Sequence, residues 1–226
     1  MQPLTLSDLK ASAQIFAHSL SNTPIPALFG VTDGKAVGTY VEQEFNLYLH
    51  DLYSYQRGSA ALGIDFPELN VDLKVTSIKQ PQSSSPFRSA SQKVYGLGYH
   101  LLLFVYDKTD DSQNQAAYLR VRHVVFVEQD YTADYQTTVG ILNILSRNAN
   151  EDDIMAFLEE RNLPLDDIGR SDLARRILTS PPKLGYLTVS NALQWRLQYS
   201  RVISLADIGN TMGVENLFRS DDDNTK

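Results

Sequence analysis

The run of β-prone residues from Val71 to Ser77, entered through the turn Asp65-Phe66-Pro67, constrains this chain more than any other feature. Polar residues and Pro67 bound the run, as turn residues bound a strand. Side chains alternate along a strand, so Asp72, Lys74 and Thr76 share one face and Val71, Leu73 and Val75 the other. A carboxylate and an ammonium therefore stand side by side above an apolar layer, and the turn brings Asp65 back toward the same point. Two converging carboxylates repel unless a cation lies between them. The chain has no cysteine and its four histidines are scattered at 18, 50, 100 and 123. Hard oxygen ligands of this kind suit Mg²⁺, with Mn²⁺ as a substitute. Lys74 adds a positive charge that can orient a water or offset charge on a phosphoryl group. Taken alone, Asp-x-Lys also occurs as a solvated pair on amphipathic strands.

The context of the pair resembles the PD-(D/E)xK nuclease superfamily, and within it the MutH mismatch-repair nickase and its restriction-enzyme relatives. Their central motif runs Asp-Phe-Pro-x-Leu-Gly-Val-Glu-Leu-Lys-Thr. Here Asp65-Phe66-Pro67-Glu68-Leu69-Asn70-Val71-Asp72-Leu73-Lys74-Val75 follows it position by position, with Asn70 for the glycine and Asp72 for the glutamate. The relatives also carry Lys-Gly-x-x-Gly-x-x-x-Glu on an upstream helix. Gly34-Lys35-Ala36-Val37-Gly38-Thr39-Tyr40-Val41-Glu42 is similar to it, with the first two residues exchanged. The resemblance covers Gly34 to about Lys108. It implies a catalytic set of Glu42, Asp65, Asp72 and Lys74, with metal held by Asp65, Asp72, the Leu73 carbonyl and a possible contribution from Glu42. It further implies hydrolysis of double-stranded DNA to a 5′-phosphate and a 3′-hydroxyl, and suggests Lys93 as a basic residue downstream of the motif.

Apolar residues at helical spacing predict an amphipathic helix over residues 5–20, with Thr5 or Ser7 as N-cap. A second helix, from Lys35 to about Tyr53, buries Val37, Val41, Phe45, Tyr48 and Leu52. Glu42 lies about 100° round from Val41, at the edge of that stripe. Periodicity alone does not choose between Glu42 and Glu44; the motif selects Glu42. Tyr53 to Leu62 reads as a first strand and its turn. Lys79 to Arg88 is rich in Ser, Gln and Pro and reads as a loop. Lys79, Gln80, Gln82, Ser84 and Arg88 are its candidate DNA contacts, since Gln and Arg pair with purine edges and Ser and Lys hold phosphates. A plain surface loop is an equal reading of the same composition.

His100 to Tyr106 is a continuous apolar strand suited to the middle of a covered sheet. Ala117 to Val127 is another, with Arg120 and Arg122 on one face. Helices are predicted over Thr132 to Arg147, from the acidic turn at Glu151 to Arg161, from Asp166 or Asp167 to Leu178, and from Ser190 through Trp195 to Tyr199. The last is either a major-groove reader or a packing helix.

At 226 residues the expected organisation is a nuclease core over 1–130, a helical C-terminal lobe over 131–220 and a disordered tail over 221–226. The fold class expected is α/β, a restriction-endonuclease-like core with a mixed sheet flanked by helices. The longest apolar run, Leu101 to Val105, is too short to span a bilayer. No signal peptide is visible and the cytoplasm is the expected compartment. The net charge of −7 weighs against a DNA-binding surface spread over the whole chain. Acids gather away from Lys74, Lys79, Arg88 and Lys93, which have no acid between Lys74 and Lys93. A sequence-specific endonuclease acting as a homodimer is the first reading. A MutH-like nickase, a housekeeping nuclease and a catalytically silent DNA-binding module on the same fold are the alternatives.

Overall fold

The computed structural model describes residues 1–58, 63–190 and 195–220. In chain order its elements are β1 (Gln2–Pro3), α1 (Leu6–Asn22), α2 (Gly34–His50), β2 (Tyr53–Ser54), β3 (Val71–Ser77), β4 (Gln82–Ser85), α3 (Gln92–Tyr95) and β5 (His100–Asp111). There follow β6 (Ala116–Val127), α4 (Tyr135–Leu145), α5 (Glu151–Glu160), α6 (Asp167–Thr179), β7 (Thr188–Val189), β8 (Trp195–Gln198), α7 (Ser200–Ile208) and β9 (Val214–Arg219). The fold is α/β, with antiparallel and parallel strand pairs and flanking helices, compatible with a restriction-endonuclease-like core. No helix among the described residues is long and apolar enough to cross a membrane.

The chain divides into two compact units. The first comprises Met1–Gln82, Leu101–Val127 and the residues from Ile203 on. Its sheet has the order β3-β5-β6-β9. β5 is internal, and Leu101 to Val105 are all buried, as a strand covered on both faces requires. α1 begins at Thr5, whose hydroxyl accepts the Asp8 N–H while the Asp8 carboxylate accepts the Thr5 N–H, a reciprocal cap. α2 begins at Asp33, which accepts from Lys35 and Ala36. Their apolar stripes pack with Val71, Leu73, Phe104, Leu119 and Val124 of the sheet in one core. At its centre the Phe16, Phe45 and Phe104 rings lie 5.0 to 6.0 Å apart.

The second unit comprises Ser83–His100 and Glu128–Val202. Helices α4 to α6 enclose Ile141, Ile154, Leu158, Leu173 and Ile177. α5 starts with Asn150 and Asp153 capping each other, and Asp166 caps α6.

Two expectations are corrected here. The segment read as a loop contains β4, which pairs with β8 in a three-stranded sheet, and its serine hydroxyls find side-chain partners: Ser83 Oγ bonds the Tyr199 hydroxyl at 2.5 Å and Ser85 Oγ the Tyr99 hydroxyl at 2.9 Å. The helix expected through Trp195 is the strand β8, with Trp195 and Leu197 buried and Arg196 and Gln198 exposed. That alternation has a period of two, which a strand imposes. The indole N–H of Trp195 donates to Gln92 Oε1 at 2.9 Å, so the tryptophan packs. Residues 191–194, the end of the expected first strand at 59–62 and the tail at 221–226 lie outside the described residues.

Candidate active site

The site is built on the turn that enters β3. Phe66 is 2% exposed and meets Phe45 edge-on at 6.4 Å, which pins the turn to the core. Burying a ring of this size stabilises by roughly 2–3 kcal/mol. Pro67 starts a single 3-10 turn that ends at Asn70, whose φ of 53° is left-handed. Glycine adopts this conformation freely and asparagine tolerates it better than most other residues, so Asn70 suits the turn. Phe66 and Val71 then exchange both backbone bonds, at 2.9 and 3.2 Å.

That exchange decides where the rest of β3 points. Along a strand, alternate residues send their N–H and C=O to the same edge. Val71 faces the turn, so Leu73 faces the same way. Its N–H donates to the Asp65 carboxylate at 2.8 Å. β3 is an edge strand of its sheet, with β5 on the other side. The Leu73 carbonyl therefore opens toward the edge where Asp65 stands.

The side chains alternate as the sequence predicts. Val71 and Leu73 are fully buried in the core, while Asp72 and Lys74 form an ion pair, 2.7 Å from Oδ2 to Nζ. Asp72 is 3% exposed. Burial pushes its carboxyl up to about 7 against the pull of Lys74, and Asp65, within hydrogen-bonding reach, adds to the rise. Thr76, next on that face, accepts the Gln82 N–H at 3.0 Å and so holds the end of the following turn.

Glu42 joins from α2. The helix packs on β3, and a Cβ on Gly38 would lie 3.9 Å from Val75. Burial raises the Glu42 carboxyl and the charge on Asp65 raises it further, while Lys74 and Arg57 draw it down. Glu42 thus shares one electrostatic cluster with Asp65 and Lys74.

Sequence reasoning missed Arg57. It is exposed and sits on a segment tied down at both ends. On one side the Tyr55 hydroxyl donates to Asn46 Oδ1 at 2.9 Å, Asn46 donates to the Glu42 carbonyl at 2.7 Å, and His50 stacks on Tyr55 at 4.4 Å. On the other, the Gly58 N–H donates to the Asp65 carbonyl at 2.8 Å. No local pattern announces such a residue.

Lys79 is exposed and pairs with Asp107 at 3.3 Å. Gln80, Ser84 and Arg88 are exposed and Gln82 is half-buried. Lys93 is 4% exposed, with its ammonium 5.6 Å from the Trp195 ring; burial lowers its pKa, opposed by Asp134.

Among the described residues no group of three or more His, Asp or Glu side chains is placed to hold a metal ion. What the cluster offers is a carboxylate pair beside a backbone carbonyl. Two acids that can stay close only while one keeps a proton offer a place where a hard divalent cation can take the proton's part.

A family model described as type II restriction enzyme NspV matches residues 3–216. The type II restriction enzyme NspV of Nostoc sp. is 54% identical over 220 residues, covering 97% of this chain and 99% of that protein. No solved structure matches the chain. The protein is thus a type II restriction enzyme, a site-specific deoxyribonuclease. It belongs to the NspV family.

Proposed function

We propose that this restriction enzyme is a member of the PD-(D/E)xK superfamily, related to MutH, and that it cuts double-stranded DNA with Mg²⁺ at the end of β3. The observation that carries this reading is the convergence at Leu73: its N–H fixes Asp65, its carbonyl faces the same edge, and the neighbouring buried Asp72 forms an ion pair with the half-buried Lys74. Asp65, Asp72 and the Leu73 carbonyl would hold the ion. A bound Mg²⁺ would supply a water of lowered pKa and offset charge on the phosphoryl oxygens.

The chain's own residues do the rest. Asp72 holds Lys74 toward the edge, and Lys74 positions the attacking water by hydrogen bonding. The water oxygen bonds to phosphorus as the bond from phosphorus to the 3′ oxygen breaks. The products are a 5′-phosphate and a 3′-hydroxyl, whose oxygen takes up a proton. Glu42 orients Lys74 or holds a second ion. Lys79, Gln80, Gln82, Ser84 and Arg88 contact the DNA, and Lys93 supports that surface from within. A cytoplasmic homodimer cutting both strands of a palindrome completes the reading.

Plasmid and phage DNA incubated with Mg²⁺ or with EDTA, beside Lys74→Ala, test it. Discrete fragments that need Mg²⁺ and vanish in the variant are expected. Open circles alone would indicate nicking. Fragments that persist at full rate in Lys74→Ala or in EDTA would remove this site from the reaction.

A further inference from the structure

The small sheet of the second unit has the order β4-β8-β7, and its two faces differ. β7 and β8 run antiparallel, with Thr188 opposite Gln198 and Val189 opposite Leu197. The pairing continues past β7, where the Ser190 N–H donates to the Arg196 carbonyl at 3.1 Å. Partners directly across a strand pair share a face, so Val189, Trp195 and Leu197 lie on one side and Thr188, Ser190, Arg196 and Gln198 on the other. The first side is the packed one, since Val189, Trp195 and Leu197 are all buried. Tyr199 continues the buried set, and Ser83 bonds its hydroxyl. Ser83 and Ser85 therefore turn toward the packed side and Ser84 toward the open one.

The packed side is firmly held. Gln92 Oε1, which accepts the Trp195 indole N–H, also accepts the Arg88 and Ser89 N–H groups at 3.1 and 3.3 Å. The buried Asp134 accepts the Val189 N–H at 2.8 Å with one oxygen, while its other oxygen accepts the Thr137 N–H at 2.9 Å and caps α4. The open side thus stands on a rigid platform, which is where residues that recognise a partner are placed most accurately. Ser84, Arg196 and Gln198 are exposed there. Among the described residues no hydrogen bond or ion pair engages the side chains of Ser84, Thr188, Arg196 or Gln198. β4, β7 and β8 contain no acidic residue.

A site-specific deoxyribonuclease needs groups that distinguish bases, and the open side carries the two side chains best shaped for it. The guanidinium fork of Arg matches O6 and N7 of guanine, and the carboxamide of Gln matches N6 and N7 of adenine. Two strand spacings make this face roughly 10 Å across, and the major groove, about 12 Å wide, admits a β-ribbon. Alternate residues of a strand lie roughly 7 Å apart, close to two base-pair rises of a duplex. We infer that the open face of the β4-β8-β7 sheet enters the major groove, where Arg196 reads a guanine and Gln198 an adenine of the recognition site. The alternatives of reading and packing that the sequence leaves open for this segment are thus divided between alternate residues of one strand. The inference rests on duplex DNA as the substrate and not on the metal cluster at β3.

Cleavage of a duplex library with a randomised centre, followed by sequencing of the cut ends, compares the unchanged protein with Arg196→Ala, Arg196→Lys and Gln198→Ala. Arg196→Ala should accept other bases at one guanine of the site, with discrimination there falling roughly 10- to 100-fold, and Gln198→Ala should do the same at one adenine. Arg196→Lys keeps the charge and loses the fork, so it should relax the same guanine while the salt slope of DNA binding stays that of the unchanged protein. Both side chains are exposed, so thermal melts of all three variants should match the parent. Preferences left intact at every position in Arg196→Ala and Gln198→Ala overturn the proposal. So does a loss that is uniform across sequences, which marks phosphate contacts. An unchanged protein that selects no sequence from the library overturns the site-specific reading itself, and this assignment with it.

Discussion

The Asp65 carboxylate accepts the backbone N–H of Leu73 at 2.8 Å, so the acid that opens the motif is locked onto the strand that carries the other two charged groups. On the proposed reading this one interaction serves both fold and chemistry, and two substitutions separate them. Asp65→Asn keeps an oxygen to accept from Leu73 but loses the charge. It should fold with thermal stability within about 1 kcal/mol of the parent while losing at least ~10³-fold in cleavage rate. Asp65→Ala removes the acceptor too and should lose a further ~1 kcal/mol on unfolding. Cleavage assays paired with thermal melts check this; an active Asp65→Asn would mean that the carboxylate only braces the turn.

Asp72 ties stability to pH. Its carboxyl is raised from 3.8 to about 7, chiefly by burial, so the folded protein binds a proton that the unfolded chain has already released. The stability this contributes is complete below the unfolded value and is lost as pH rises through about 7. The metal-free protein should therefore lose stability between pH 5 and pH 8, by on the order of a few kcal/mol. Asp72→Asn should flatten that dependence. On the proposed reading the ion competes with the proton, so Mg²⁺ should raise the melting temperature more at pH 8 than at pH 6, and cleavage at limiting Mg²⁺ should fall below about pH 7. Calorimetric melts across pH, with and without Mg²⁺, read all three.

How much of this was legible follows from how local each signal is. α1, α2 and β5 announce themselves by apolar spacing, and Asp65 to Lys74 lie within one turn and one strand, so their convergence can be read along the chain. β4 could not be read, because Ser83 and Ser85 look like loop residues until Tyr199 and Tyr99 supply their partners. β8 was misread because Trp195 to Gln198 is too short for period two and period 3.6 to be told apart. Arg57 belongs to the cluster only through Tyr55, Asn46 and Gly58, contacts between segments that share no pattern.

Asn70 ends the turn before β3 with a φ of 53°, in the left-handed region that glycine adopts most freely. Asn70→Gly should be nearly neutral. Asn70→Val places a β-branched residue in the left-handed region, at a cost of about 1–2 kcal/mol or more. The turn would relax by moving Phe66 and Asp65 relative to Val71, so Asn70→Val should lose cleavage activity out of proportion to its lowered melting temperature. If activity at a temperature well below the melt is unchanged, the turn does not control the placement of Asp65.

Arg57 is the last of the groups that meet at Glu42, and its position predicts a kinetic signature. Lys74 is engaged with Asp72, and on the proposed reading the exposed Arg57 meets the incoming phosphate. Its segment is held to Asp65 through Gly58, where a Cβ would lie only 1.8 Å from the Ile64 carbonyl oxygen, so the backbone there tolerates no side chain. Arg57→Ala should reduce kcat/KM about tenfold, mainly through KM, and lower the salt slope of DNA binding by about one. Arg57→Lys should recover part of the loss because it keeps the charge and gives up the fork. Gly58→Ala, by displacing Asp65, should instead depress kcat. Steady-state kinetics at several salt concentrations distinguish the two; an Arg57→Ala enzyme with unchanged KM and salt slope would leave Arg57 as a partner of Glu42 alone.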